Sequence, residues 1–166
     1  MDPGTSCGRR AFLKATAASV ALPYLIPASA MGADGGTAPS NRIVMAGIGI
    51  GNMGRGDLGS FLGRGDVQYV AVCDVNTGSD GYLPKQFRGR KPGQDEVNAH
   101  YAKNAPAGQY KGCDAYKDFR DVLARKDIDV VTVVVPDHWH GLMTVTAAAA
   151  GKDIYCEKPL SLTVAH

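Results

Sequence analysis

Residues 43–54 read Ile43-Val44-Met45-Ala46-Gly47-Ile48-Gly49-Ile50-Gly51-Asn52-Met53-Gly54. A short apolar run, Ile43–Ile48, ends in glycines, and a helix-compatible segment, Asn52–Leu62, opens directly from them. Gly49, Gly51 and Gly54 fit G-x-G-x-x-G, a spacing with a physical purpose. The first glycine permits a tight turn, the second lets the backbone approach a pyrophosphate, and the third lets helix and strand pack closely. Amides at the helix start, including those of Asn52 and Met53, would then face the phosphates, aided by the helix dipole.

A second apolar run supplies the companion signal. Val67–Cys73 closes at Asp74, twenty residues after Gly54. A carboxylate there can accept hydrogen bonds from an adenosine ribose and repels a 2′-phosphate. No Arg or Lys follows it closely in the chain, so the expected cofactor is NAD, with NADP the weaker fit. A rival reading uses Gly47, Gly49 and Gly51 as the G-x-G-x-G loop of an S-adenosylmethionine-dependent methyltransferase. Those enzymes usually carry an acid just before the first glycine, whereas Val44-Met45-Ala46 stand there.

Outward from this unit the pattern repeats. Ile128–Val135 and Asp153–Cys156 are further strand-like runs, and near-continuous apolar runs suit a parallel sheet covered on both faces. Helix-like segments lie between them, at Asp95–Lys103, Tyr116–Arg125 and Trp139–Ala150. The second places Phe119, Val122 and Leu123 on one stripe, and the third ends at Gly151. The fold class predicted is α/β: a Rossmann-type doubly wound parallel sheet with helices on both faces. Asn76–Gln94, with its glycines, prolines and basic residues, reads as an irregular surface insertion. The sharper alternative is a flap over the adenosine end of a nucleotide, or a subunit contact.

Length and charge bound the rest. The chain has 166 residues, 45% hydrophobic and 20% charged, which fits one globular domain and excludes a wholly disordered chain. Residues 1–30 read as an export signal, with Arg9-Arg10, an uncharged Ala-rich stretch and a small-residue cleavage pattern at Ala28-Ser29-Ala30. Gly8-Arg9-Arg10-Ala11-Phe12-Leu13-Lys14 resembles the twin-arginine signal, departing from its usual form only at Gly8. That implies the twin-arginine machinery as a partner and a periplasmic or otherwise exported bacterial protein. Residues 31–41 are a linker, and 42–166 the dinucleotide-binding domain. Taking Arg9, Arg10 and Lys14 from 18 bases, and Asp2 from 16 acids, leaves 15 of each. A neutral domain gives no reason to expect nucleic acid or an anionic membrane surface. Cys73, Cys113 and Cys156 remain beyond the signal. Their scattered spacing is neither a disulfide framework nor a zinc motif, and Cys73 and Cys156 read as small buried hydrophobes.

The third and fourth strands each run into polar groups at their carboxyl ends, where ligands sit in open α/β sheets. These are Pro136-Asp137-His138-Trp139-His140 and Glu157-Lys158-Pro159-Leu160. With the glycine turn and Cys73-Asp74, they make residues 42–166 resemble the Gfo/Idh/MocA family of oxidoreductases. The resemblance implies that Pro136, Asp137 and His140 lie against the nicotinamide half of the cofactor. It implies that Glu157 and Lys158 match a Glu-Lys-Pro whose lysine reaches both cofactor and substrate, and that a cis peptide bond precedes Pro159. It makes Lys158 and His140 the candidate catalytic residues, acting on a sugar or polyol hydroxyl. A lysine beside the reacting carbon can stabilise developing negative charge on oxygen. His138 and His140 would clamp a metal if both stood on a strand, but they stand at a strand-to-helix turn with no companion ligands, so no metal is expected. His100 reads as an exposed helix residue.

The resemblance also implies more chain than is present. Family members continue into an α/β domain that supplies the substrate pocket and an Asp and a His for acid–base chemistry. The expectation is therefore a C-terminally incomplete domain. It is either the N-terminal part of an exported NAD-dependent sugar or polyol dehydrogenase, homo-oligomeric as a candidate assembly, or a stand-alone nucleotide-binding module without catalysis.

Overall fold

The computed structural model describes residues 37–83, 85–104 and 112–163. The expected export signal and most of the linker lie outside these residues; Pro39–Asn41 forms a single 3-10 turn. The elements then follow as β1 (Ile43–Ile48), α1 (Asn52–Leu62), β2 (Val67–Cys73), β3 (Ser79–Leu83), β4 (Gln86–Arg88) and α2 (Arg90–Asn104). After them come β5 (Asp114–Tyr116), α3 (Phe119–Leu123), β6 (Val130–Val133), α4 (Asp137–Ala149) and β7 (Asp153–Cys156). Five strands form one sheet in the order β5-β2-β1-β6-β7, with every neighbouring pair parallel. No helix among the described residues is long and apolar enough to cross a membrane.

The sheet divides two apolar cores. On one face Met45, Tyr69 and Val72 pack with Leu58 and Leu62 of α1 and Val97 of α2. On the other Ala46, Ile48, Ala71 and Cys73 pack with Val122 and Leu123 of α3 and Ala147 of α4. Helices thus cover both faces, as the continuous apolar runs require. One irregularity makes this possible. Met45 pairs with Tyr69 but Ala46 pairs with Ala71, so Val70 is an extra residue in β2. Val70 and Ala71 consequently turn to the same core, and the alternation resumes one position out of step. Side chains in α1 tell a similar story of packing over propensity. Gly54, Gly56 and Gly59 weaken the helix by about 1 kcal/mol each relative to Ala. Burial of Leu58 and Leu62, at 0% and 6% exposure, holds it to the sheet.

Lys152 is the buried cation of the second half. Its Nζ donates to the carbonyls of Arg125 (2.5 Å) and Ile128 (2.9 Å), tying the β7 approach to the loop after α3. Asp129 does the same for β1, its Oδ2 accepting from Val44 N at 2.9 Å.

Three departures from the sequence reading have physical causes. Residues 76–94 are not irregular throughout, because β3 and β4 pair as an antiparallel hairpin. The Phe87 ring lies over Gly78, where a Cβ would stand 2.6 Å from it, and Asn76 donates to Ser79 Oγ at 2.7 Å. α2 begins at Arg90 and takes Pro92 and Gly93 into its first turn, where proline lacks only an amide that would be unpaired anyway. Residue Tyr116 belongs to β5, a three-residue strand too short to carry a periodicity, and α3 starts at Phe119 with Asp118 capping Arg120 N. Two burial expectations also shift. Cys156 is half-buried because β7 is an edge strand among the described residues, and His100 is half-buried, set edge-on to Tyr101.

Candidate functional site

β1 has its next strand in sequence, β2, on one side and the later β6 on the other. The chain therefore reverses its direction of travel across the sheet beside β1, the place where open α/β sheets leave a crevice. A cleft of about 530 Å³ lies there, walled by Gly49, Gly51, Asp74, Val134 and Trp139 among others.

The glycine turn forms its floor. Gly49 has φ +88°, and a Cβ on it would lie 2.0 Å from the Val134 carbonyl oxygen. A Cβ on Gly54 would lie 1.9 Å from the Gly49 carbonyl oxygen. No side chain could be accommodated at either position, so the turn runs flush between the end of β2 and the loop after β6. Gly49 N donates to Cys73 O at 2.8 Å, anchoring the turn to β2. α1 starts at Asn52 without a side-chain cap, so its first-turn amides have no intrahelical acceptor and no cap. Asn52 and Met53 are exposed on that first turn.

Asp74 is 6% exposed at the end of β2. Its Oδ2 accepts from Ile50 N and its Oδ1 from Asn76 N, both at 2.8 Å. The carboxylate thus staples the glycine turn, and each oxygen keeps further lone-pair capacity toward the cleft. Arg90 comes to it through the fold, not the sequence. Its Nη1 donates to the carbonyls of Asp74 (3.0 Å) and Val75 (3.1 Å) from the first residue of α2. Beside them the Cys73 thiol is pushed up to about 12, by burial first and then by the Asp74 charge, so it stays protonated and inert.

The segment after β5 supplies a wall that the sequence reading missed: Lys117, Asp118, Phe119 and Arg120. Arg120 forks onto Asp118, which holds that carboxyl down at about 2, and lies 5.8 Å from the Phe119 ring centroid. A three-residue strand gave no signal that these groups would reach the sheet's carboxyl end. Val134, Val135, Trp139 and Met143 complete the opposite wall.

The second sequence cluster is split by the structure. Pro136 caps α4 and Asp137 opens it, both exposed. His138 is exposed and His140 is 2% exposed, so the two imidazoles share no site. Among the described residues no group of three or more His, Cys, Asp or Glu is placed to hold a metal ion. His140 is not part of the cleft wall: its Nδ1 lies 2.6 Å from the Pro159 carbonyl oxygen and its Nε2 is buried without a partner among the described residues. Glu157 N donates to Val133 O at 3.0 Å, and Lys158 N to Glu157 Oε2 at 3.2 Å. The peptide bond between Lys158 and Pro159 is cis, as the resemblance implied. Lys158 is exposed at the carboxyl end of the sheet, outside the cleft wall itself. Asp57 on α1 has its carboxyl raised above the usual range, by burial and then by the Glu157 charge, and its Oδ2 is buried without a partner among the described residues.

Residues 42–166 match the Gfo/Idh/MocA family, described as an oxidoreductase family with an NAD-binding Rossmann fold. A glycosyl hydrolase family 109 protein of Shewanella sp. (strain W3-18-1) is 33% identical over 130 residues, covering 76% of this chain and 25% of that protein. An α-N-acetylgalactosaminidase of Shewanella oneidensis is 31% identical over 156 residues, covering 92% of this chain and 30% of that one. Among solved structures, the scyllo-inositol dehydrogenase of Lactobacillus casei with bound NAD(H) and scyllo-inositol superposes with a TM-score of 0.55 at 20% identity. That match covers 75% of this chain and 30% of that chain, and the likeness is one of fold. The chain spans about a quarter to a third of the length of the curated relatives it matches.

Proposed function

The chain belongs to the Gfo/Idh/MocA oxidoreductase family, and on that premise we propose that it is the cofactor-binding part of an exported enzyme that moves a hydride between NAD and a sugar or polyol hydroxyl. The observation that carries the reading is the flush glycine turn. With no Cβ at Gly49 or Gly54, the turn packs directly against the backbone at Val134 and Gly49, and the uncapped start of α1 beside it would bind a pyrophosphate. Asp74, which already holds Ile50 N, would also accept from the adenosine ribose. When bound, NAD supplies a hydride acceptor at its nicotinamide ring. Trp139, Val134 and Val135 would shield that end of the cleft from water. Lys158 would reach the reacting oxygen and stabilise the charge it develops. Pro136 and Asp137 would frame the same end from the start of α4.

A second reading is favoured by the 31% identity to an α-N-acetylgalactosaminidase. In it water cleaves a glycosidic linkage, with no net consumption of NAD. Both readings need the same cleft. Tryptophan-to-NADH energy transfer on the 166-residue chain should report NADH binding, and its absence would remove both. The complete gene product then separates them. Accumulation of NADH with a sugar or inositol panel supports the dehydrogenase. Release of nitrophenol from a nitrophenyl N-acetylgalactosaminide without NADH accumulation supports the glycosidase. Neither signal from a product that binds NADH leaves a non-catalytic nucleotide-binding module. Export is tested separately: Arg9→Lys with Arg10→Lys should retain the protein in the cytoplasm, and continued export would refute the twin-arginine route.

A further inference from the structure

We propose that His140 is a positioning residue: its imidazole grips the Pro159 carbonyl and thereby sets where the Lys158 side chain points. The inference rests on the reading of Lys158 as the group that reaches the cofactor and substrate. His140 is 2% exposed on α4, 19 residues before its partner in the chain, with Nδ1 2.6 Å from Pro159 O. A carbonyl oxygen only accepts, so Nδ1 carries the proton. The other ring nitrogen, Nε2, is buried with no partner among the described residues. The ring is buried and is not part of the cleft wall. What it does touch is the backbone one residue beyond Lys158.

The same turn is held from its other side. Glu157 N is fixed to Val133 O, and the Glu157 carboxylate accepts from Lys158 N. Gly141, beside His140, brings α4 close to the continuing chain: a Cβ there would lie 3.5 Å from Leu160 O. Lys158 is therefore an exposed side chain on a backbone gripped on both flanks. Among the described residues, only the His140 grip is made by a side chain from another element.

The test exploits the two ring nitrogens. Asn places its amide nitrogen as many bonds from Cα as Nδ1, and Gln places its own as many as Nε2. His140→Asn therefore keeps the donor to Pro159, and His140→Gln loses it while staying polar. Lysines of the 166-residue chain are ¹³C-methylated, and the Lys158 signal is assigned with Lys158→Arg. Expected is a Lys158 shift on adding NAD in the parent chain and in His140→Asn, lost in His140→Gln, with NADH affinity unchanged within about twofold. In the complete enzyme the matching result is a fall of about tenfold in kcat for the Gln variant with KM for NAD unmoved. An equal Lys158 response in His140→Gln overturns the proposal, as does equal loss in both variants. If NAD leaves Lys158 unmoved in the parent chain, the Lys158 reading itself fails and takes the proposal with it. His140→Leu, unable to donate, gives the same discrimination if the Gln variant does not fold.

Discussion

The glycine turn at 49–54 and the Lys158 turn stand at the same end of one sheet, yet they are made in opposite ways. The first is made by leaving side chains out. Its surface is backbone, and its shape follows from two positions where a single methyl would collide with a carbonyl oxygen. The second is made by holding one side chain, with His140, Glu157 and the β6–β7 ladder fixing the backbone beneath it. A site of the first kind fails abruptly when an atom is added. A site of the second kind fails by degrees as its supports are removed.

The largest effect expected from this contrast is at Gly49. Gly49→Ala should destabilise the fold by about 3 kcal/mol or more and abolish NADH binding, because both the φ of +88° and the 2.0 Å approach to Val134 O oppose it. Gly56→Ala is the control. Nothing lies within 4 Å of a Cβ there, so it should stabilise α1 by up to about 1 kcal/mol and leave binding intact. Urea denaturation and NADH titration read both, and equal behaviour of the two variants would break the comparison.

Lys152→Met comes next, at the far end of β7 from the second site. It removes a buried ammonium bonded to two carbonyls and leaves both acceptors buried, so a loss of about 2–3 kcal/mol in urea midpoint stability is expected. A change below about 0.5 kcal/mol would mean that water replaces the ammonium there.

Asp74→Ala is expected to weaken NADH binding by about tenfold and NADPH binding less, since the carboxylate both staples Ile50 and opposes a 2′-phosphate. Equal weakening would assign Asp74 to the staple alone and shift cofactor choice to Arg90.

The smallest effect is at Asp57, which faces the second site from the helix of the first. Burial and the Glu157 charge raise its carboxyl, so the folded chain binds that proton more tightly than the unfolded chain. Its contribution favours the fold below the unfolded carboxyl value and is lost as pH rises through the raised folded value. The difference in Tm between Asp57→Asn and the parent should therefore be more positive at neutral pH than in mild acid. A difference independent of pH would refute the coupling.

The sequence made the two regions legible to different degrees, for the same reason. Glycine spacing and the strand-end Asp74 are local signals of a backbone shape, and β1, α1 and β2 take the boundaries that the apolar runs predict. Where contacts are long-range, reading stops. Arg90 approaches Asp74 only because Gly93 lets α2 sit on Ile50, a Cβ there being 2.6 Å from Ile50 Cγ2. The Lys117–Arg120 wall depends on a strand of three residues. The burial of His140 follows from the path of Pro159, which a motif reads as neighbouring letters and the fold reads as a grip.

The extra residue in β2 has a consequence for how this chain tolerates length changes. Beyond Val70 every position of β2 is one step later than strict alternation would place it, so that Ile48 pairs with Cys73 and Asp74 falls just past the ladder. Deleting Val70 itself would remove the bulge and leave Ile48 opposite Cys73, but deleting a residue beyond it, with the bulge kept, would draw Asp74 into the place of Cys73. A carboxylate would then sit among Val122, Leu123, Val131 and Ala147. Among the described residues of the hairpin segment, 77–80 and 85–88, none belongs to either core. Single-residue gaps among homologous chains should therefore collect in the hairpin and be missing from β2 beyond Val70, where residue count is as much a part of the binding fingerprint as the glycines are.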